Sequence, residues 1–337
     1  MLRGRIIYVD RRRVWLARGT QLLSSSDGGL SWSEHARVPV GWAGRIVAST
    51  RLSRRLVRGG IHHFLPGSSD IAIAGRYVFK RGAEDEPFRP TSRVHGSRPL
   101  ALATDGQLVC YGEYRPNLER SAVHVWGSRD QGCTWERLWC FEGVRHIHGV
   151  YFDPHCRMFW VTTGDDDQEC GIWRSADQFR TLEKVTGGAQ RVRAVDLCFT
   201  EDHVYFGSDT PLERNFIYRI ERRSGEIECL QEVGSSVFFG CRVAGHLFFS
   251  TVAEPSSVNR TDRAEIWHSL DGKNWQLLRC QTKDRWPMRA FQYGQILFPG
   301  GPGDDEHLFF TPLATVGDQC TCVIPLSELD ARSHARR

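Results

Sequence analysis

The sequence predicts an all-β protein: a single β-propeller domain over residues 1–337, built of four-stranded antiparallel blades, seven in number with six the alternative. Three observations predict it. A short polar motif returns along the chain. Its copies are spaced by multiples of one length. The segments between them are short runs of β-branched and aromatic residues bounded by Gly, Asp or Pro, with no amphipathic helix of ordinary length.

The first copy is Ser25-Ser26-Asp27-Gly28-Gly29-Leu30-Ser31-Trp32 and the second is Ser128-Arg129-Asp130-Gln131-Gly132-Cys133-Thr134-Trp135. Ser175-Ala176-Asp177-Gln178-Phe179-Arg180-Thr181 is a worn copy, and Ser269-Leu270-Asp271-Gly272-Lys273-Asn274-Trp275 is one residue short. The shared order is S-x-D-x-G-x-[ST]-W. Its chemistry is that of a tight turn. Asp and Ser side chains bond nearby backbone N–H groups, Gly takes a backbone angle that other residues resist, and Trp opens the next strand with a large apolar face. Short strands flank the copies: Val123 to Trp126 and Glu136 to Cys140, Ile172 to Arg174 and Leu182 to Val185, Ile266 to His268 and Gln276 to Arg279. The motif therefore reads as a hairpin loop.

From Ser128 to Ser175 is 47 residues, and from Ser175 to Ser269 is 94, twice that. The spacing predicts a hidden unit midway. Asn215 to Ile220, the turn Arg222-Arg223-Ser224-Gly225 and Ile227 to Leu230 supply it. From Ser25 to Ser128 is 103 residues, which predicts another unit around Tyr77 to Lys80 and Arg81-Gly82. Leu308 to Pro312 and Cys320 to Leu326 supply strands for a last one. Seven units give about 48 residues each, the size of a propeller blade. The clearest blade runs Gly149 to Asp153, Met158 to Thr163, Ile172 to Ser175 and Leu182 to Val185. The last blade lacks an obvious fourth strand, and Gly4 to Tyr8 either supplies it or begins the first blade.

The motif resembles the Asp-box, or BNR, repeat of sialidase-like β-propellers, and at the level of architecture the resemblance covers the whole chain. It implies a structural turn that carries no chemistry. Sialidases hold a substrate carboxylate with three arginines. Arg98, Arg145 and Arg193, at or before the first strands of three consecutive blades, invite that comparison.

Composition narrows the partners. With 44 basic and 40 acidic residues the net charge is +4, which makes no case for nucleic acid. The arginines near residues 3–13 and 51–58 read as a solvated basic edge. No segment approaches the length of a membrane span, and the first residues lack an apolar run, so a cytoplasmic protein without a secretory signal is expected. The eleven cysteines read as small apolar strand residues in a reducing compartment. Cys320-Thr321-Cys322 places two sulfurs on one strand face with no further ligands nearby in sequence.

Parity then locates a site. In an antiparallel meander the first-to-second and third-to-fourth connections share one face, and the second-to-third and blade-to-blade connections share the other. The S-x-D turns mark the first face. The opposite face collects Glu113, Tyr114 and Asn117 from blade 3, Asp165, Asp166 and Asp167 from blade 4, Asp209, Glu213 and Asn215 from blade 5, and Glu254 from blade 6. The blade-to-blade connections add His95, Arg98, Arg145, His146, His148, Gln190, Arg193, Lys283 and Asp284.

This mixture of acids, bases and guanidiniums suits an acidic oligosaccharide or polysaccharide, because Arg pairs with carboxylates in bidentate fashion. A glycoside hydrolase needs two carboxyl groups, one protonated and one ionised. Glu113, Asp165, Asp166, Asp167, Asp209, Glu213 and Glu254 are candidates, with Glu113, Asp165 and Asp209 foremost and Tyr114 as nucleophile or relay. A polysaccharide lyase working by β-elimination needs a base, an acid and a cationic clamp. His146 or His148, Tyr114, and Arg145 or Arg193 would fill those roles. A propeller that binds a glycan or protein without turnover is the third reading. The other residues named would hold substrate. No cofactor is expected, although His146-x-His148 on an extended segment points both rings to one side and leaves a divalent metal open, with His95 or an Asp.

Overall fold

In the computed structural model, which describes residues 2–259 and 261–334, strands pair antiparallel with their sequence neighbours in seven sheets. The sheets span residues 5–37, 61–93, 103–141, 146–187, 194–233, 237–282 and 295–325, one blade after another. Six have four strands. The seventh has three, Gln295–Leu297, His307–Leu313 and Cys322–Pro325, and is followed by a helix, Leu326–His334. Arg5–Val9 pairs with Val14–Arg18 as the first strand of blade 1. That makes the N-terminal segment the first strand of blade 1 and leaves the last blade, among the described residues, without a fourth strand.

The strands grade from buried to wet across each blade. In blade 4 the second strand, Met158–Gly164, is buried at nearly every position, whereas the fourth, Glu183–Gly187, is polar and partly exposed. An inner strand is covered on both faces by neighbouring blades, so it reads as a continuous apolar run rather than as an alternation. The cores accordingly lie between blades. Leu108, Cys110 and Val125 of blade 3 pack on Ile147, Phe159 and Val161 of blade 4. Trp160 and Ile172 of blade 4 pack on Leu197, Val204 and Phe206 of blade 5. Equivalent clusters join each further pair in turn. Ile6, Val14 and Leu16 of blade 1 meet Phe309 of blade 7 and close the ring. Polar bonds tie the same seam: Val9 N–H donates to Gly300 O at 2.9 Å, Gly300 N–H to Ile7 O at 3.0 Å, and Ile6 N–H to Thr311 Oγ1 at 3.0 Å.

All four S-x-D turns connect third to fourth strands, so they share one face. Each is built alike. Asp130 Oδ1 accepts from Ser128 Oγ at 2.8 Å and from Thr134 N–H at 2.8 Å, while Ser128 Oγ accepts from Gly132 N–H at 2.7 Å. In the shortened copy Asn274 stands in for the Ser or Thr and donates to Asp271 Oδ2 at 2.7 Å. In the worn copy Phe179 occupies the Gly position at φ 71°. Its ring is 2 % exposed and packs 5.4 Å from Phe159, so buried aromatic area offsets the strained backbone.

The helices depart from the sequence reading, which expected none and ran the last strand on to Leu326, where the helix Leu326–His334 begins. Between blades 1 and 2 lie two short helices, Trp42–Ser49 and Arg51–Val57. The second faces the ring with Arg55, 2 % exposed, whose guanidinium pairs with Asp284 at 2.5 Å and donates twice to Phe291 O. Hydrophobic periodicity misses a helix whose buried contact is an arginine. Its cap, Thr50 with Ser53, also lacks the usual Glu.

Asp130 tests the turn. Its carboxyl is held at about 2, because the bonds from Thr134, Ser128 and Cys133 outweigh the opposing effect of burial. Asp130→Ala should cost about 0.5–2 kcal/mol, as for a lost side-chain cap, read as a lower urea midpoint at neutral pH. A depressed folded-state pKa stabilises above the unfolded value and is lost as pH falls through the folded one. The difference between variant and parent should therefore shrink from about pH 4 downward and vanish near pH 2. Trp275, 9 % exposed against Tyr205 and Phe249, should cost about 3–5 kcal/mol on change to Ala. The half-buried Trp32 and Trp135 should cost less by the same measurement.

Candidate functional site

The face opposite the S-x-D turns is uneven. Blades 1 and 2 turn tightly there, at Gly19-Thr20 and Gly75-Arg76, and the helix Arg51–Val57 fills the room, reaching blade 7 through Arg54 to Gln319 at 2.9 Å. Blades 3 to 6 carry longer loops. At the blade 3–4 seam Gly112 has no side chain to meet Ile147, which a Cβ would approach to 2.3 Å. That close approach lets Ile147 N–H bond Glu113 O at 3.2 Å and brings the Tyr114 ring to 4.3 Å from the His146 ring.

Asp165 is the hub. Its Oδ1 lies 3.2 Å from His148 Nε2, 3.4 Å from His146 Nε2 and 2.9 Å from Arg193 Nη2, and its Oδ2 is 2.8 Å from Arg145 Nη1. The two histidine Nε2 atoms are 3.1 Å apart. A bulge in the ladder between Ile147 and Gly149 sets this approach. Burial works to raise the Asp165 carboxyl, but His146, His148 and Arg193 hold it well below the usual carboxylate range. Burial lowers His146, only partly opposed by Asp165. Gln190 Nε2 donates to Asp165 O at 2.9 Å, and Arg193 Nε faces Asp209 Oδ2 at 3.4 Å. Burial and Asp209 raise the Glu254 carboxyl; bonds from Tyr293 and Ser236 oppose this. Burial, Asp165 and Asp209 raise the Tyr114 hydroxyl, with Arg58 and Arg145 pulling it down. Tyr114, Arg145, His146, His148, Asp165, Gln190, Arg193, Asp209 and Glu254 therefore lie together in the structure. His146, His148 and Asp165 bring three ligand-type atoms within 4.8 Å of one another.

A second group joins Arg98, an expected substrate-binding residue, with two arginines from the stretches that read in sequence as a solvated basic edge. Arg5, at the start of the first strand, and Arg58, which ends the helix Arg51–Val57, line one cavity with Arg98, His62, Gln292 and Gln319. Among the described residues none of the three arginines has a carboxylate within 4.0 Å. Arg98 Nη1 meets only His62 Nδ1 at 3.5 Å, and the enclosed Arg5 Nε has no acceptor. Burial lowers Arg5 to about 10, and burial with Arg58 and Arg5 lowers Arg98 to about 10. Burial and the surrounding guanidiniums push His62 well below its usual value. Arg58 holds a left-handed backbone, φ 51° and ψ 43°, where Gly is usual. The arginine trio of this face is thus Arg5, Arg58 and Arg98, because Arg145 and Arg193 are committed to Asp165 and Asp209. Arg5, Arg58 and Tyr293 are what the sequence reading missed; their signal was Arg or Tyr at, or within three residues before, the first strand of a blade, close to where Arg145 and Arg193 stand.

Other expected residues sit apart. Glu113 follows Tyr114's neighbourly register in reverse: adjacent residues on an extended segment face opposite ways. Its carboxylate is taken by Arg115 Nε at 2.9 Å, His124 Nδ1 at 3.2 Å and Trp126 Nε1 at 3.4 Å. His95 stacks on Trp126 at 3.4 Å. Asn117 bonds Ser121 O and Val144 O, and Asn215 bonds Thr210 O and Asn259 Oδ1; both are buried loop latches. Asp166 pairs with Arg120 at 2.5 Å at the rim, and Asp167 and Glu213 are exposed. Lys283 and Asp284 pair with each other at 2.5 Å under Arg55. Glu169, unnoticed in sequence, shapes the blade 4 loop by accepting from Arg145 N–H at 3.0 Å and Arg120 Nε at 2.6 Å.

No family model matches the sequence, and no curated protein matches it. Solved structures do match in fold. A chain of a mitotic checkpoint complex superposes with a TM-score of 0.58 at 12% identity, over 96% of this chain and 89% of that one. The tricorn protease gives 0.55 at 11% identity, over 96% and 35%. The GH74 enzyme of Niastella koreensis gives 0.54 at 12% identity, over 81% and 45%. At these identities the likeness is one of fold alone. No helix among the described residues is long and apolar enough to cross a membrane.

Glu113 is expected to be structural. Glu113→Gln should lower the urea midpoint by an amount equivalent to about 1–3 kcal/mol, because a charged acceptor inside a donor cluster is lost. Ligand affinity of the folded variant should stay at the parent value in isothermal titration.

Proposed function

We propose that the protein is a carbohydrate-active enzyme that takes a carboxylate-bearing oligosaccharide into the axial funnel and hydrolyses it. The observation that carries this reading is the trio Arg5, Arg58 and Arg98 without a counter-anion. Guanidinium charge under burial, as at Arg5 and Arg98, is costly unless an anion answers it, and Arg58 adds its charge from an exposed position; a carboxylate accepts the paired N–H groups that Arg offers. In this reading the trio seats the sugar carboxylate. Glu254 and Asp209 then act as the carboxyl pair. Glu254, whose pKa is raised by burial and by Asp209, is the acid that donates to the leaving oxygen, and Asp209, 3.4 Å from Arg193 Nε, is the second carboxyl group of the pair. Arg193 and Tyr293 position these two groups. The GH74 enzyme among the propellers of similar fold is consistent with the fold hosting such a site, and carries no argument about substrate.

One observation favours elimination as a second reading. Tyr114 lies against His146, which burial keeps toward the neutral form. A neutral base beside a phenol, facing arginines, is what proton abstraction next to a carboxylate uses.

Purified protein incubated with uronate-containing and other acidic oligosaccharides separates these readings. Hydrolysis releases reducing ends without new ultraviolet absorbance, and elimination produces the absorbance of an unsaturated sugar. For a hydrolase, Glu254→Gln should cut kcat by at least about 100-fold, and Arg98→Ala should raise KM with a smaller effect on kcat. The rate should fall at high pH as Glu254 loses its proton, with the midpoint above the ordinary Glu value because burial and Asp209 raise its pKa. Arg5→Ala and Arg98→Ala proteins that bind every acidic glycan as tightly as the parent would remove the basis of the reading.

A further inference from the structure

We infer that His146, His148 and Asp165 form a binding site for one divalent transition-metal ion. The inference rests on where lone pairs point. His148 Nδ1 lies 2.9 Å from Ala194 O. A carbonyl only accepts, so that nitrogen carries the ring proton and Nε2 presents a lone pair. His146 Nδ1 faces Arg115 O at 3.4 Å, which favours the same tautomer. The two Nε2 atoms are then 3.1 Å apart, with Asp165 Oδ1 3.2 Å from one and 3.4 Å from the other. With each Nδ1 turned to a backbone carbonyl, both Nε2 atoms and Asp165 Oδ1 face one another as three ligand-type atoms. A shared proton satisfies one edge of this triangle, whereas a metal ion satisfies all three.

The dimensions fit an ion. Metal bonds of about 2.0–2.2 Å place cis octahedral ligands about 2.8–3.1 Å apart and tetrahedral ligands about 3.3–3.6 Å apart. The three observed separations lie across that range. Two imidazoles and one carboxylate suit zinc, iron, cobalt or manganese rather than calcium, and three protein ligands leave a position open for a water or a ligand oxygen. The outer shell is also built. The backbone carbonyls orient both rings, Arg145 holds Asp165 Oδ2, and Gln190 holds the Asp165 carbonyl. Arg193 touches the same Oδ1, and Asp209 next to it supplies negative charge that offsets the guanidinium. Another buried histidine pair, His246 and His268, 2.9 Å apart, does not form such a three-donor group among the described residues.

Chelator-treated full-length protein titrated with Co²⁺ tests this, by calorimetry and visible absorption. Expected are one equivalent bound, a raised thermal midpoint and d–d bands without the intense thiolate charge-transfer band that cysteine ligation would give. His148→Ala and Asp165→Asn should weaken binding by at least about 100-fold, beyond the usual cost of losing an outer-shell partner. His268→Ala should bind as the parent does. No saturable binding, a thiolate band, or a folded His148→Ala protein that binds Co²⁺ like the parent would each overturn the site. If the Ala variant does not fold, proton NMR of the parent with Co²⁺ decides. Two exchangeable, paramagnetically shifted imidazole N–H signals support the site, and their absence overturns it.

Discussion

Apolar packing between neighbouring blades is the interaction on which everything else depends. Each sheet buries little within itself; Phe159 and Val161 need Leu108 and Val125 across the seam, and Phe206 needs Trp160. A blade therefore has no complete core until both neighbours are present, and the last seam, Ile6 and Leu16 against Phe309, makes the chain a ring. Closure here relies on this seam and its backbone bonds to Gly300, without a strand from the N-terminus completing the last blade. The helix Leu326–His334 adds Leu326 and Leu329 to the blade 6–7 core where a fourth strand would lie.

The ring divides labour between its faces by a rule of direction. A hairpin reverses the chain, so every S-x-D turn falls on one side and every loop after a second strand on the other. On the first side the carboxylates of Asp27, Asp130, Asp177 and Asp271 are occupied with their own turns. On the second side the acidic and basic groups answer one another across blades, as Arg145 and Arg193 do at Asp165, or face open space, as Arg5, Arg58 and Arg98 do.

That second face is electrically lopsided. Blades 4 to 6 bring carboxylates together with their own guanidiniums, whereas the cavity lined by Arg5, Arg58 and Arg98 has no carboxylate among its described lining residues. The helix Arg51–Val57 creates the asymmetry, since it carries Arg58 to the cavity while spending Arg54 and Arg55 on blade 7 and the connection leading to it.

The sequence by itself determined the fold and the face. Local turn chemistry and a fixed repeat length survive in the chain whatever it packs against, so seven units, their order and the side bearing Tyr114, His146, Asp165 and Asp209 were legible. Tertiary structure decided which side chains on that side meet. Glu113 was indistinguishable in sequence from its neighbour, and only the extended backbone turned it away toward Arg115 and His124. Arg98 could be grouped with Arg145 and Arg193 by position, yet its distance from any carboxylate depends on contacts between residues far apart in the chain, such as those that set Arg5 and Arg58 beside it. Pairing of charges is a property of three-dimensional proximity, which periodicity does not encode. The same reason hid the helix Arg51–Val57, whose inward residue is an arginine made acceptable only by Asp284 from the opposite end of the sequence.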